Sequence, residues 1–308
     1  MATIVFMGTP DFAVPILQAL IRNHQVIGVV TQPDRPAGRS RQMQESPVKQ
    51  VAKSAHIPVF QPEKIRRPDA ILELKQWQPD AYVVAAFGQI LPQAVLDIPP
   101  YGSINVHASL LPRWRGAAPI QAVIRAGDAE TGVTIMKMDA GLDTGAMLSK
   151  RAIPVAPDET GQTLHDKLCA LGAELLIETL PAYFDGTIQP QSQDDALATF
   201  APRIEKDEGR IMWTESAEKI ERTIRAFTPW PGTFTTWDGK LLKVLSASLM
   251  DGTAAPGMVI ERGGQVVIGT GDGLLAPERI QLEGRGAVSL QEFVRGYPAF
   301  IGAALGGT

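Results

Sequence analysis

The first half of the chain alternates short apolar runs with stretches whose apolar residues recur at helical spacing. Residues 3–7 form an apolar run that stops at Gly8. Residues 13–21 carry apolar positions at helical spacing, with Asp11 placed to cap that helix. Residues 26–31 are apolar and β-branched, 47–55 read as a helix, 57–60 as a short strand and 70–77 as a helix. Residues 81–87 are the most hydrophobic strand candidate, and 103–107 follow as another. Strands that are apolar throughout, separated by helices, predict a doubly wound α/β fold with a mostly parallel sheet covered on both faces. From Val133 the rhythm changes. Residues 133–138 and 146–153 predict a hairpin added to that sheet, and 160–183 a long amphipathic helix.

A second pattern begins near residue 190. Residues 189–203 are polar, hold Pro190 and Pro202, and show little periodicity, which reads as a linker. Beyond Ile211, residues 217–226 read as a helix. Short strand candidates then follow at 232–237, 240–248, 257–260, 265–269 and 279–282, separated by glycine. Many short strands with glycine turns predict a small OB-like β-barrel. The expected division is a first domain over 1–189, a linker over 190–205 and a second domain over 206–308.

Composition narrows the class. The chain has 308 residues, 44% hydrophobic and 20% charged, with a net charge of −4. That excludes a coiled coil, a collagen and a largely disordered chain. No apolar run reaches the ~18 residues that suggest a membrane span. The first residues lack the basic leader of a signal or transit peptide. The single cysteine, Cys169, allows no internal disulfide and no cysteine metal cluster, so a reducing cytoplasm is expected and no metal is. With a net negative charge, any contact to nucleic acid must come from local patches.

Three segments carry candidate chemistry. Gly8-Thr9-Pro10-Asp11 follows a strand and opens a helix, but it lacks the Gly-x-Gly-x-x-Gly spacing of a dinucleotide loop and reads equally as a tight turn. Asn105 and His107 stand two apart at the end of a strand, so their side chains share a face. The carboxyl end of a parallel strand is where open α/β sheets bind ligands. An amide beside an imidazole can polarise a carbonyl and hold an oxyanion. The plain alternative is a turn-capping asparagine and a buried, satisfied histidine. Asp139 and Asp143 lie in a glycine loop that is either a solvated turn or an acid site. Of the two, Asp143 is the acid expected to orient His107 and handle a proton.

Basic residues cluster near these segments. Across residues 33–53 there are five basic residues (Arg35, Arg39, Arg41, Lys49, Lys53) against two acidic ones (Asp34, Glu45). A mobile basic loop can grip phosphates, although scattered surface charges more often only solvate a loop. Arg113-Trp114-Arg115 adds two cations and an aromatic ring beside the candidate site.

Read together, the segments resemble the folate-dependent formyltransferases. The resemblance rests on Asn105-Val106-His107-x-Ser109-Leu110-Leu111-Pro112, on Arg115-Gly116 with Ala118-Pro119-Ile120, and on Thr131-Gly132-Val133-Thr134-Ile135 leading to Met138-Asp139-x-Gly141-Leu142-Asp143-Thr144-Gly145. Within that family the chain resembles the branch whose acceptor is methionyl-tRNA. That likeness rests on Gly8-Thr9-Pro10-Asp11-Phe12-Ala13, on residues 31–39, on Ser46-Pro47-Val48-Lys49 and on residues 225–232.

The resemblance implies a Rossmann-like formyltransferase domain followed by the OB-like domain. It implies 10-formyltetrahydrofolate as formyl donor and the amino group of initiator methionyl-tRNA as acceptor. Asn105, His107 and Asp143 correspond to the family's catalytic residues. Ser109, Leu110, Leu111 and Pro112 correspond to a folate-contacting stretch, and Phe87, Gly88, Gln89, Ile90 and Leu91 to a wall of the pterin pocket. Arg39, Arg41, Lys49, Arg113 and Arg115 are the expected tRNA contacts. The second domain holds eleven Lys/Arg against twelve Asp/Glu from Lys206 onward, so a tRNA face there must be local. The chain is expected to act as a monomer. Rival readings are a formyltransferase on an amino sugar nucleotide, a formyltetrahydrofolate hydrolase and a non-catalytic tRNA-binding protein.

Overall fold

The computed structural model describes residues 2–37 and 42–306. The chain forms two compact units. One comprises Met1–Pro119, Glu130–Pro154 and His165–Ala201, and the other Ile120–Ala129, Val155–Leu164 and Pro202–Thr308.

The first unit opens with β1 (Thr3–Gly8), α1 (Ala13–Asn23) and β2 (Gln25–Val30). A short antiparallel pair, β3 (Arg35–Ala37) and β4 (Gln42–Gln44), precedes α2 (Pro47–Ser54) and β5 (Val59–Phe60). Next come α3 (Pro68–Gln76), β6 (Ala81–Ala85), α4 (Gln93–Leu96), β7 (Ser103–His107) and β8 (Arg115–Gly116). After α5 (Pro119–Ala126), which belongs to the second unit from Ile120 on, come the hairpin strands β9 (Glu130–Lys137) and β10 (Met147–Pro154), then α6 (Gly161–Phe184), in the first unit from His165 on, and β11 (Phe200–Ala201). Seven strands make one sheet in the order β10-β9-β7-β6-β1-β2-β5. Strands β1, β2, β5, β6 and β7 are parallel, and the expected hairpin adds β9 and β10 antiparallel at one edge.

The strand order reverses between β1 and β6, and that reversal opens a crevice at the strands' carboxyl ends. Strands β6 and β7 are buried along their whole length, which is why they read as unbroken apolar runs. Val5, Met7, Val30, Leu74, Tyr82, Val84 and Phe87 pack into one cluster. Burying each such side chain is worth about 1.5–3 kcal/mol. Gly8 ends β1 where no other residue fits: a Cβ there would sit 2.7 Å from Phe6 and 2.9 Å from the Ala85 carbonyl.

Helix α1 enters differently from its sequence expectation. Phe12 takes the cap position with no side-chain bond, and the first turn is closed by backbone bonds from Ala13 to Pro10 and from Val14 to Asp11. Asp11 therefore contributes its carbonyl to the entry, not its carboxylate. Helix α2 has the expected grammar, with the Ser46 hydroxyl accepting from the Lys49 amide and Pro47 in the first turn.

The polar stretch after α6 is ordered within the first unit as far as Ala201. Gln191 exchanges backbone bonds with Met147, residues Asp195–Leu197 make a 3-10 turn, and β11 pairs in parallel with β8.

The second unit holds α7 (Ala217–Ala226) and an antiparallel sheet. Its strands are β12 (Thr233–Trp237), β13 (Lys240–Met250), β14 (Val259–Arg262), β15 (Gln265–Gly269), β16 (Leu274–Leu282) and β17 (Val288–Ser289), followed by α8 (Leu290–Gly296). The order is β12-β13-β16-β15-β14, with β17 on β16. The chain after α8 closes this sheet into a barrel: Leu305 donates to Gly257, Gly302 to Val259 and Gly306 to Thr236, linking the β14 edge to the β12 edge. Trp237 packs edge-on to Phe293, Tyr297 and Phe300, with ring centroids 5.3–5.6 Å apart. Among the described residues no helix is long and apolar enough to cross a membrane.

Candidate active site

Strand β7 runs between β6 and the antiparallel β9 and carries Asn105 and His107 on the same face, both nearly buried. The Asn105 side-chain amide makes no hydrogen bond among the described residues. The residue is 9% exposed, so the amide is free to bond a group that enters the site.

The two nitrogens of His107 face different groups. Nε2 lies 3.0 Å from the Trp114 carbonyl, which can only accept, so Nε2 carries a hydrogen. Nδ1 lies 3.7 Å from Asp143 Oδ2. Nδ1 is therefore the ring nitrogen that faces the carboxylate.

Asp143 sits in the loop between β9 and β10, in left-handed backbone at φ 51°. Its Oδ2 also accepts from the Gly116 amide at 2.8 Å, which fixes the carboxylate beside the imidazole. The loop's two acids divide their tasks. Asp139 Oδ1 accepts from the Gly141 amide at 3.0 Å and the Thr144 hydroxyl at 2.7 Å, so Asp139 shapes the turn. Gly145 closes the loop against β9, where a Cβ would stand 1.9 Å from the Lys137 carbonyl.

The expected folate stretches are a mixture of framework and open surface. The Ser109 hydroxyl is spent on the Arg113 carbonyl at 2.6 Å. Its backbone carbonyl and the Leu111 amide are joined through the buried Thr134 hydroxyl on β9. Leu111 is buried, while Leu110 and Pro112 are half-buried. Phe87 and Leu91 belong to the core, and the Phe87 carbonyl accepts from Thr9 and Gln32. Both ends of the Gln89 amide are used, accepting from the Ile65 amide and donating to the Pro62 carbonyl. Gly88 and Ile90 are exposed, Ile90 at 89%.

The expected tRNA cations separate sharply. Arg115 is 3% exposed and its guanidinium is held by Gln193 and Asp195, so it is corrected from a tRNA contact to a framework residue. Lys49 is bonded to Asp34 at 2.5 Å, with Glu45 also near; the hydrogen bond from Asp34 raises the lysine's pKa, and those from Lys49 and Gln61 lower the acid's. Lys49 thus reads as a brace at the start of α2, not an open phosphate contact. Arg113 is exposed and stacks on Trp114, with its guanidinium carbon 4.4 Å from the ring. Arg39 and Arg41 lie outside the described residues.

Elsewhere, burial pushes the Cys169 thiol up to about 12, so it stays protonated and inert at neutral pH. Sequence reasoning missed Gln193, Thr199 and Thr134. Thr199 accepts through its hydroxyl from the Trp114 amide, and Thr134 bridges the turn after β7. Each acts through a partner distant in sequence, which no local pattern records.

At the carboxyl end of β7 the fold brings together an amide, an imidazole and a carboxylate, an arrangement able to polarise a carbonyl and move a proton, which is the chemistry of group transfer. Residues 1–180 match the formyl transferase family, and residues 203–298 match its C-terminal domain. The chain belongs to the formyl transferase family. It is 50% identical over 306 residues to the methionyl-tRNA formyltransferase of Geobacter metallireducens, covering 99% of this chain and 98% of that one. It is 51% identical to the methionyl-tRNA formyltransferase of Pseudomonas putida, covering 94% of each. The fold matches that of a Helicobacter canadensis N-formyltransferase solved with folinic acid and dTDP-3-aminofucose, at a TM-score of 0.67 and 21% identity, covering 90% of this chain and 99% of that one.

Proposed function

We propose that this chain transfers the formyl group of 10-formyltetrahydrofolate to the amino group of initiator methionyl-tRNA. The observation that carries the chemistry is the unpartnered Asn105 amide beside the His107–Asp143 pair. The acceptor is supported by relatives named for it at about half identity over nearly the full length of both chains.

The steps follow from the residues. The neutral amine attacks the formyl carbon, a C–N bond forms, and the carbonyl electron pair moves onto oxygen. Asn105 donates to that oxygen as its charge grows. His107 Nδ1 takes the proton from the ammonium, and the resulting imidazolium is held between the Trp114 carbonyl and Asp143. Its Nδ1–H then serves as a second donor to the oxyanion or passes the proton to the departing folate nitrogen. The carbonyl re-forms as the bond to that nitrogen breaks. The chain is taken to act as a monomer, and an acceptor used in translation supports a reaction in the cytoplasm.

Recognition of the tRNA is assigned to Arg39 and Arg41, to Arg113, and to the carboxy-terminal domain. The test offers isotopically labelled formyl donor with charged initiator tRNA, with an amino sugar nucleotide, or with water alone. Label is expected on methionyl-tRNA. Transfer only to the sugar, or release only as formate, overturns the reading.

A further inference from the structure

The stretch from Gln191 to Ala201 bonds both the turn after β7 and the loop between β9 and β10, and one side chain within it is saturated. Gln193 Nε2 donates to the carbonyl of Asp143 at 2.7 Å and to that of Gly145 at 2.8 Å. Its Oε1 accepts from Arg115 Nε at 3.0 Å and Arg115 Nη2 at 2.8 Å. Arginine cannot accept, so the oxygen must face Arg115 and the nitrogen must face the carbonyls. All four hydrogen-bonding positions of this amide are filled, and each is filled by an element that carries the site.

Those elements are the ones that fix the reacting groups. Asp143 and Gly145 belong to the loop that presents the carboxylate. Arg115 lies between Trp114, whose carbonyl sets the His107 tautomer, and Gly116, whose amide binds Asp143 Oδ2. The same stretch adds two further ties: Thr199 receives the Trp114 amide on its hydroxyl and the Arg115 amide on its carbonyl. Asp195 also meets Arg115, but it is 81% exposed, and exposed ion pairs contribute little.

We propose that Gln193 is a positioning residue for the transfer reaction, locking the Asp143 loop to the Trp114–Gly116 turn so that carboxylate and imidazole keep their separation. This rests on the function proposed above. Gln193 touches no reacting atom; it acts through the Asp143 backbone and Arg115. Its sequence position, 50 residues from Asp143 and 78 from Arg115, explains why it reads as linker.

Gln193→Glu separates this role from a merely structural one. A carboxylate satisfies Arg115 at least as well as the amide, but it cannot donate and sets negative oxygen against the Asp143 and Gly145 carbonyls. If Gln193 only accepts the hydrogen bonds of a buried arginine, the variant retains wild-type kcat. If it positions Asp143, kcat falls on the order of 10–100-fold with KM for both substrates nearly unchanged. Gln193→Met, which removes both donor and acceptor without a charge, is expected to lower kcat similarly.

Nitrogen-15 shifts of the His107 ring, followed against pH without any substrate, give a second readout. The titration of His107 is expected to move in Gln193→Met, whose uncharged side chain adds no field of its own at the ring. Wild-type kcat together with an unmoved His107 titration overturns the proposal. A wild-type enzyme that formylates no methionyl-tRNA overturns the functional reading instead, and leaves the histidine titration as an independent test of the clamp.

Discussion

Asn105 and Asp143 make distinguishable contributions. Asn105→Ala removes one oxyanion donor, an effect of about 10²–10³ in rate at comparable sites. Turnover is expected to fall by that order while tRNA affinity holds; the check is kcat and binding measured in parallel, and loss of affinity at unchanged kcat assigns Asn105 to binding. Asp143→Asn keeps the shape of the side chain but removes the negative charge facing the His107 ring. The pH–rate profile is expected to lose or shift a limb, and an unchanged profile reduces Asp143 to a turn residue. These residues were legible because a strand's period of two and the glycine loop advertise them locally. Arg115 was misread because a sequence shows its charge but not Gln193 and Asp195, nearly 80 residues away. Asp139 and Asp143 were indistinguishable in sequence, and only the hydrogen bonds from Gly141 and Thr144 separate the turn former from the acid.

Elements were legible where apolar period decides them, and less so where entry and exit decide. The parallel strands and the added hairpin fall where the pattern places them. The α1 cap did not, because the turn before it closes through backbone carbonyls. The stretch over 190–201 lacked apolar period because its contacts are polar. Two element-level predictions follow from caps and ties. The Ser46 hydroxyl caps α2 and also bonds Thr31 Oγ1 at 2.8 Å. Ser46→Ala is expected to cost about 1 kcal/mol in denaturant unfolding. Asp80 binds the start of β1, accepting from the Thr3 amide at 2.7 Å and the Thr3 hydroxyl at 2.8 Å, and these bonds hold its carboxyl below the usual value. A lowered folded-state pKa adds stability above the unfolded value, and that stability is lost as pH falls through the folded one. Wild type is therefore expected to lose stability below about pH 4 more steeply than Asp80→Asn. Superimposable pH–melting curves for the two contradict it.

The whole molecule combines a transfer site in the first unit with a closed β-barrel in the second. Asn105, His107 and Asp143 supply groups for a formyl carbon and an amine only, so selection among acceptors falls to surfaces beyond them. Arg39→Ala tests that division. It is expected to weaken use of methionyl-tRNA far more than slow hydrolysis of the donor, and the difference is expected to shrink at high salt, where phosphate contacts are screened. Equal losses in both reactions place Arg39 at the folate site. The central claim is that Asn105, His107 and Asp143 drive transfer from folate to a tRNA-borne amine. It is tested most directly by counting N-formylmethionyl-tRNA against tetrahydrofolate released, in one reaction, with wild type and Asn105→Ala. The account predicts one product per tetrahydrofolate and a rate that collapses in the variant. Tetrahydrofolate released without formylated tRNA, or an undiminished variant, contradicts it.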